Sequence, residues 1–199
     1  MKSMIYLLFI SLSNNLYGQN SLQKENFNYE IKKVTGDLNK DRIDDIVIIT
    51  KDTINNKSPY KLQIYFGQSN GELKLIITTT KAIEQQFSDG KEGYKIGNGF
   101  VDIAIKKGKF IISNELLRGS IEHQFRFQNG NFELIGFSKV HSDGQGTMTS
   151  VDFNLLTGLR IEIKERYDTA KILSKIKKKV IIRPLPKLQE FTPLENELY

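Results

Sequence analysis

Cysteine is absent from all 199 residues. That excludes a disulfide framework, a thiolate metal centre and a cysteine nucleophile. It also excludes lipid attachment through an N-terminal cysteine. A disulfide-free domain must rely on its core, helped in some cases by a metal ion. Histidine occurs only at His123 and His141. Neither has partners at ligand spacing, so both read as core or surface residues rather than zinc ligands or general bases. No Gly-x-Ser-x-Gly elbow is present. Gly97-Asn98-Gly99 and Gly144-Gln145-Gly146 do not open helices, so they read as turns rather than phosphate cradles. Helix-period runs are scarce, and no apolar run approaches the ~20 residues of a membrane span.

The longest apolar run lies at the N-terminus. Lys2 precedes Met4-Ile5-Tyr6-Leu7-Leu8-Phe9-Ile10 and Leu12, and a polar stretch ends at Gly18. This order of positive, apolar and polar segments predicts a signal peptide over 1–18, cut before Gln19. The mature chain is expected to be periplasmic or extracellular.

The remaining composition is that of a folded domain. Apolar residues make up 39% and charged residues 26%, enough to bury a core within one domain. The formal charge is +6, and the excess is local. Lys171, Lys175, Lys177, Lys178, Lys179, Arg183 and Lys187 fall within 171–187 without an acid among them. Such a run is most often a solvated face. It is also the one candidate surface for an acidic polysaccharide or lipid head group. Few aromatics accompany it, which argues against nucleic acid.

Short alternating segments punctuated by turns dominate the chain. Strands are predicted at 29–34, 45–50, 60–66, 73–80, 100–105, 110–112, 121–127, 132–140, 151–156 and 159–165. Segment 45–50, a continuous β-branched run, reads as a strand buried on both faces. Asn70-Gly71, Lys107-Gly108, Asn129-Gly130 and Thr157-Gly158 mark tight turns. Phe125, Phe127, Phe132, Phe137 and Phe153 alternate as core residues would. The spacing predicts an all-β fold: an antiparallel meander of hairpins in a sheet or sandwich. A minor basic helix is expected over 169–178. The expected organisation is a leader over 1–18, a β domain over 19–167, and a basic segment with an extended tail over 168–199 packed on that domain.

One stretch carries distinctive chemistry: Gly36-Asp37-Leu38-Asn39-Lys40-Asp41-Arg42-Ile43-Asp44-Asp45, followed by Ile46-Val47-Ile48-Ile49. Counting from Asp37, side-chain oxygens fall at positions 1, 3, 5 and 9, namely Asp37, Asn39, Asp41 and Asp45. The carbonyl of Ile43 sits at position 7. Calcium takes six to eight hard oxygens at about 2.3–2.6 Å, and this alternation can curl a chain around one ion. Without a cation, two carboxylates at ~4 Å repel by roughly 4 kcal/mol at an effective dielectric near 20. The helix-loop-helix calcium hand begins similarly but needs a bidentate Glu at position 12. Here that position is Ile48. The metal-free alternative is an Asx-rich turn bonded to its own amides.

The Gly-Asp-x-Asn-x-Asp-x-x-Asp-Asp pattern before an aliphatic strand resembles the calcium loop of FG-GAP and VCBS-type repeats. These form the blades of integrin α-subunit propellers and occur in many bacterial surface proteins. The resemblance covers about 34–80 and implies calcium ligation by Asp37, Asn39, Asp41, the Ile43 carbonyl and Asp45. Two departures matter. Arg42 replaces the usual glycine at position 6, and the motif occurs once where a propeller needs about four to eight blades. The resemblance therefore implies one calcium-loop hairpin on another β fold. Residues 125–137 and 152–158 also resemble segments of exported bacterial proteins with no assigned activity.

These features lead to the expectation of an exported, calcium-stabilised interaction or envelope-associated domain with a structural ion. The alternatives are a polyanion binder and a hydrolase whose acidic residues meet only in three dimensions.

Overall fold

The computed structural model describes residues 26–85, 87, 89–93 and 99–199. The leader expected over 1–18 lies outside them. Among these described residues, eleven antiparallel strands form two sheets. The smaller holds β1 (Tyr29–Gly36), β2 (Asp45–Lys51), β3 (Tyr60–Gly67) and β4 (Leu73–Thr79). The larger begins with β5 (Gly99–Lys106), β6 (Lys109–Leu116), β7 (Gly119–Gln128) and β8 (Asn131–Ser142). It continues through β9 (Thr147–Asn154), β10 (Leu159–Arg166) and β11 (Ile172–Lys179). Strands pair in chain order throughout, so each sheet is a simple meander.

Turn chemistry explains the connections. Asn129 and Gly130 both take positive φ, as do Lys107 and Gly108. Two consecutive left-handed residues make the tight turn whose twist matches antiparallel strands.

Two expectations are corrected. Among the described residues there is no helix; the segment expected to be helical carries β11 instead. Its Ile172, Ser174 and Ile176 alternate with Leu173, Lys175 and Lys177, and pairing with β10 decides the outcome. β11 therefore continues the large sheet. Strand β2 is also not fully buried on both faces. Asp45, Val47 and Ile49 are buried, while Ile46 and Ile48 are half-buried.

One apolar core joins everything. It includes Val47, Ile49, Leu62 and Ile64 of the small sheet, and Phe110, Ile112, Phe125 and Phe153 of the large one. Phe66 meets Phe127 edge-on at 4.9 Å, linking β3 to β7. At the sheet edges, Lys32 of β1 pairs with Asp102 of β5 at 2.9 Å.

The C-terminal segment supplies the last part of the core. Leu185, Leu188 and Phe191 are buried. The Leu134 amide donates to the Pro186 carbonyl at 2.8 Å, and the Leu188 amide to the Phe132 carbonyl at 2.9 Å. Arg183 donates to the carbonyls of Leu155 and Leu156. Phe191 then stacks edge-on against His123 at 4.7 Å and Phe125 at 5.1 Å.

Candidate functional site

The acidic stretch is the hairpin connection between β1 and β2. Gly36 pairs with Asp45 at the end of the ladder, leaving 37–44 as the loop. Lys40 and Arg42 adopt left-handed backbone, with φ of 70° and 68°. Arg42 thus occupies, with a side chain, the conformation that glycine adopts freely. Leu38 is fully buried in the core, which pins the loop's first half.

Every acidic or amide side chain expected to bind metal bonds within this loop or its surroundings. Asp37 accepts the Lys40 amide at 2.5 Å and the Arg42 amide at 3.0 Å. Asn39 accepts the Asp41 amide at 3.0 Å and donates to the Asp41 carboxylate at 2.8 Å. Asp41 accepts the Ile43 amide at 2.8 Å. Asp45 accepts the Leu38 amide at 2.7 Å and, across the sheet, the Gly67 amide at 3.1 Å. The last bond ties the loop to the end of β3. The approach is close: a Cβ on Gly67 would lie 2.5 Å from the Asp44 carbonyl oxygen.

Asp45 is the electrostatic centre of the loop. It is fully buried. Loss of water raises its carboxyl above the ordinary range, against the pull of the Leu38, Gly67 and Asn39 amides. The nearby Asp41 charge raises it further. Exposed Asp44 does not share this environment.

The donor set suits a hard cation. A carboxylate offers about four acceptor positions. The amide bonds leave such positions free on Asp37, Asp41 and Asp45. Four side chains and the Ile43 carbonyl supply five oxygens, and water would complete a calcium shell of at least about six. Among the described residues, however, no three Asp, Glu, His or Cys side chains form a ready metal-holding group. Asp37, Asn39 and Asp41 bond the loop's own amides.

A second site was not visible in the sequence. Register aligns three rows across one face of the large sheet. The first is His123, Phe137, Phe153 and Arg160; the second is Ile121, Lys139, Val151 and Glu162; the third is Gly119, His141, Thr149 and Lys164. Phe137, Phe153 and Val151 belong to the core. Arg160, Glu162 and Lys164 therefore share the core-side face, while Ile161 and Ile163 face the other way. A cavity of about 500 Å³ opens here, with Glu195, Asn196, Glu197 and Tyr199 of the C-terminal segment along its other wall. Alternation read alone puts Ile161 and Ile163 inward, which is why sequence reasoning missed the site.

The two histidines separate into distinct environments. His123 is completely buried and packs on Phe137 and Phe191. Burial pushes its pKa down to about 4. His141 is only half-buried. Desolvation and the charges of Lys139 and Lys164 lower it, while Glu162 and Asp143 pull the other way.

The basic run forms the outer edge of the large sheet. Lys175, Lys177 and Lys179 of β11 are exposed. They pair in register with Ile163, Ile161 and Leu159 of β10, and so form one row. No helix of the described residues is long and apolar enough to cross a membrane. No family model, curated protein or solved structure matches the chain.

Proposed function

We propose that the protein is an exported β-sheet interaction domain whose β1–β2 hairpin is held by a structural calcium ion. One observation carries the metal reading: Asp45 is a fully buried carboxylate with a like charge, Asp41, beside it. A divalent ion would neutralise that repulsion at the junction of loop, β2 and β3. Asp37, Asn39, Asp41, Asp45 and the Ile43 carbonyl would hold it. The left-handed Lys40 and Arg42 already give the backbone its curl. Leu38 and the Gly67 amide fix the loop to the core. Export rests on the leader-like order of residues in 1–18.

Thermal melting tests the reading. A ligand at 100 times its dissociation constant stabilises the folded state by about 2.7 kcal/mol. In a domain of this size each kcal/mol raises Tm by about 2–4 °C. Saturating calcium is expected to raise Tm by about 5–10 °C, and Asp37→Ala with Asp41→Ala to remove the shift. An unchanged Tm in the wild type at saturating calcium refutes it.

A second reading is supported by β11. Its lysine row repeats every two residues, or about 7 Å, which suits a repeating anionic polymer. Retention on heparin that disappears in Lys175→Gln/Lys177→Gln/Lys179→Gln supports it; retention unchanged in the triple variant refutes it.

A further inference from the structure

The large sheet turns ionic residues inward at β10. Inward charges sometimes protect an exposed sheet edge from pairing with other chains. That role does not fit here, because β10 is covered on both sides by β9 and β11. Lysines on β11 already guard the edge. The inward charges call for another explanation.

Unpaired polar atoms concentrate at the same place. His123 Nδ1 and Nε2, His141 Nδ1 and Arg160 Nε are buried without hydrogen-bond partners. Buried polar groups are nearly always satisfied, so such a group signals water or a ligand. His123 is fully buried and lines the cavity. Arg160 uses Nη1 on Glu162 at 3.2 Å, and its Nε is left over. Lys139 and Lys164 also line the cavity, and neither makes an ion pair among the described residues.

Apolar side chains line part of the rest, alongside Thr149 and Asn196. The apolar ones are Leu116, Ile121, Phe137 and Val151, with Ile121 and Val151 in register on either side of Lys139. A volume of about 500 Å³ lies within the range of small-molecule sites, roughly 300–1,000 Å³. Acids are present too. Glu162 is engaged by Arg160, while Glu195 and Glu197 lie on the opposite wall. The sheet side alone therefore carries three cations against one acid.

We propose that this cavity binds an amphiphilic organic anion, with a carboxylate or phosphate monoester head at Arg160, Lys139, Lys164 and His141. Its apolar body lies against Ile121, Phe137 and Val151. The planar Arg160 guanidinium offers Nε beside the Glu162 contact, and lysine ammonium groups add point charge. The proposal is independent of the cation loop, which lies in the other sheet.

The test is calorimetric titration of the full chain with decanoate, decyl phosphate and decanol, each below its micelle-forming concentration. At least one of the two anions is expected to bind one per chain, at least tenfold tighter than decanol. The anion that binds more tightly identifies the head group. Arg160→Gln and Lys164→Gln are each expected to weaken it fivefold or more. Lys164 is exposed and bonds to no described side chain, so its variant keeps the test valid should Arg160→Gln fail to fold. Lys74→Gln, exposed on β4 of the other sheet, should leave affinity unchanged. The proposal is overturned if neither anion binds, or if decanol binds as tightly. It is equally overturned if Lys164→Gln has no effect, or if Lys74→Gln weakens binding as much.

Discussion

Acidification below about pH 6.5 should destabilise this protein through His123. The imidazole is buried against Phe137 and Phe191, and burial lowers its pKa from 6.5 to about 4. In the unfolded chain the ring protonates near pH 6.5; in the folded chain it stays neutral until about pH 4. Between those values the unfolded state binds one more proton, so stability falls as pH falls. Each unit is worth about 1.4 kcal/mol, so the full interval amounts to about 3 kcal/mol. His141 contributes in the same direction, since its pKa is also lowered. Asp45 and Glu84 act oppositely, because their carboxyls are raised by burial and gain stability from protonation. Comparing wild type with His123→Phe isolates the histidine. Urea unfolding at pH 7, 6, 5 and 4 should show the variant losing about 3 kcal/mol less than wild type over the interval. Equal slopes, or a His123 ring that titrates near pH 6.5 by NMR, would refute the burial argument.

Two other substitutions probe the loop. Asp45→Ala leaves the buried Leu38 and Gly67 amides without acceptors. Bonds to charged groups are worth about 1.5–3 kcal/mol each, offset by relief of a desolvated carboxylate. The expected loss is about 3 kcal/mol by urea unfolding, against under about 0.5 kcal/mol for exposed Asp44→Ala; equal losses would contradict the assigned bonds. Arg42→Gly removes a side chain from left-handed backbone at φ 68°, where a non-glycine residue costs roughly 1–2 kcal/mol. It is expected to raise the metal-free protein's stability by up to about 1 kcal/mol, and a clear loss would count against the strain.

The hairpin architecture was legible because its signals are local. Asn129-Gly130 and Lys107-Gly108 specify their turns, and alternation around Phe125 and Phe153 specifies which residues are buried. The acidic loop was legible for the same reason, since its oxygens are spaced along one short segment. What failed was nonlocal. β11 reads as a basic helix until β10 offers it a partner, and pairing then outweighs helix propensity. The cavity depends on register across β8, β9 and β10. Arg160 joins the core face only because it lies opposite Phe153, and Glu162 because it lies opposite Val151. A slip of one residue would have turned Ile161 and Ile163 inward instead. No composition or spacing rule contains that information. The unpaired nitrogens of His123 depend likewise on how Phe191 returns from the C-terminal segment.

Calorimetric titration of calcium into the metal-stripped protein tests the central claim most directly. One calcium per chain is expected to bind, with binding abolished by Asp37→Ala and Asp41→Ala together and weakened as Asp45 protonates at lower pH. No calcium binding by the folded wild-type protein at neutral pH, or binding that survives the double substitution, would contradict it.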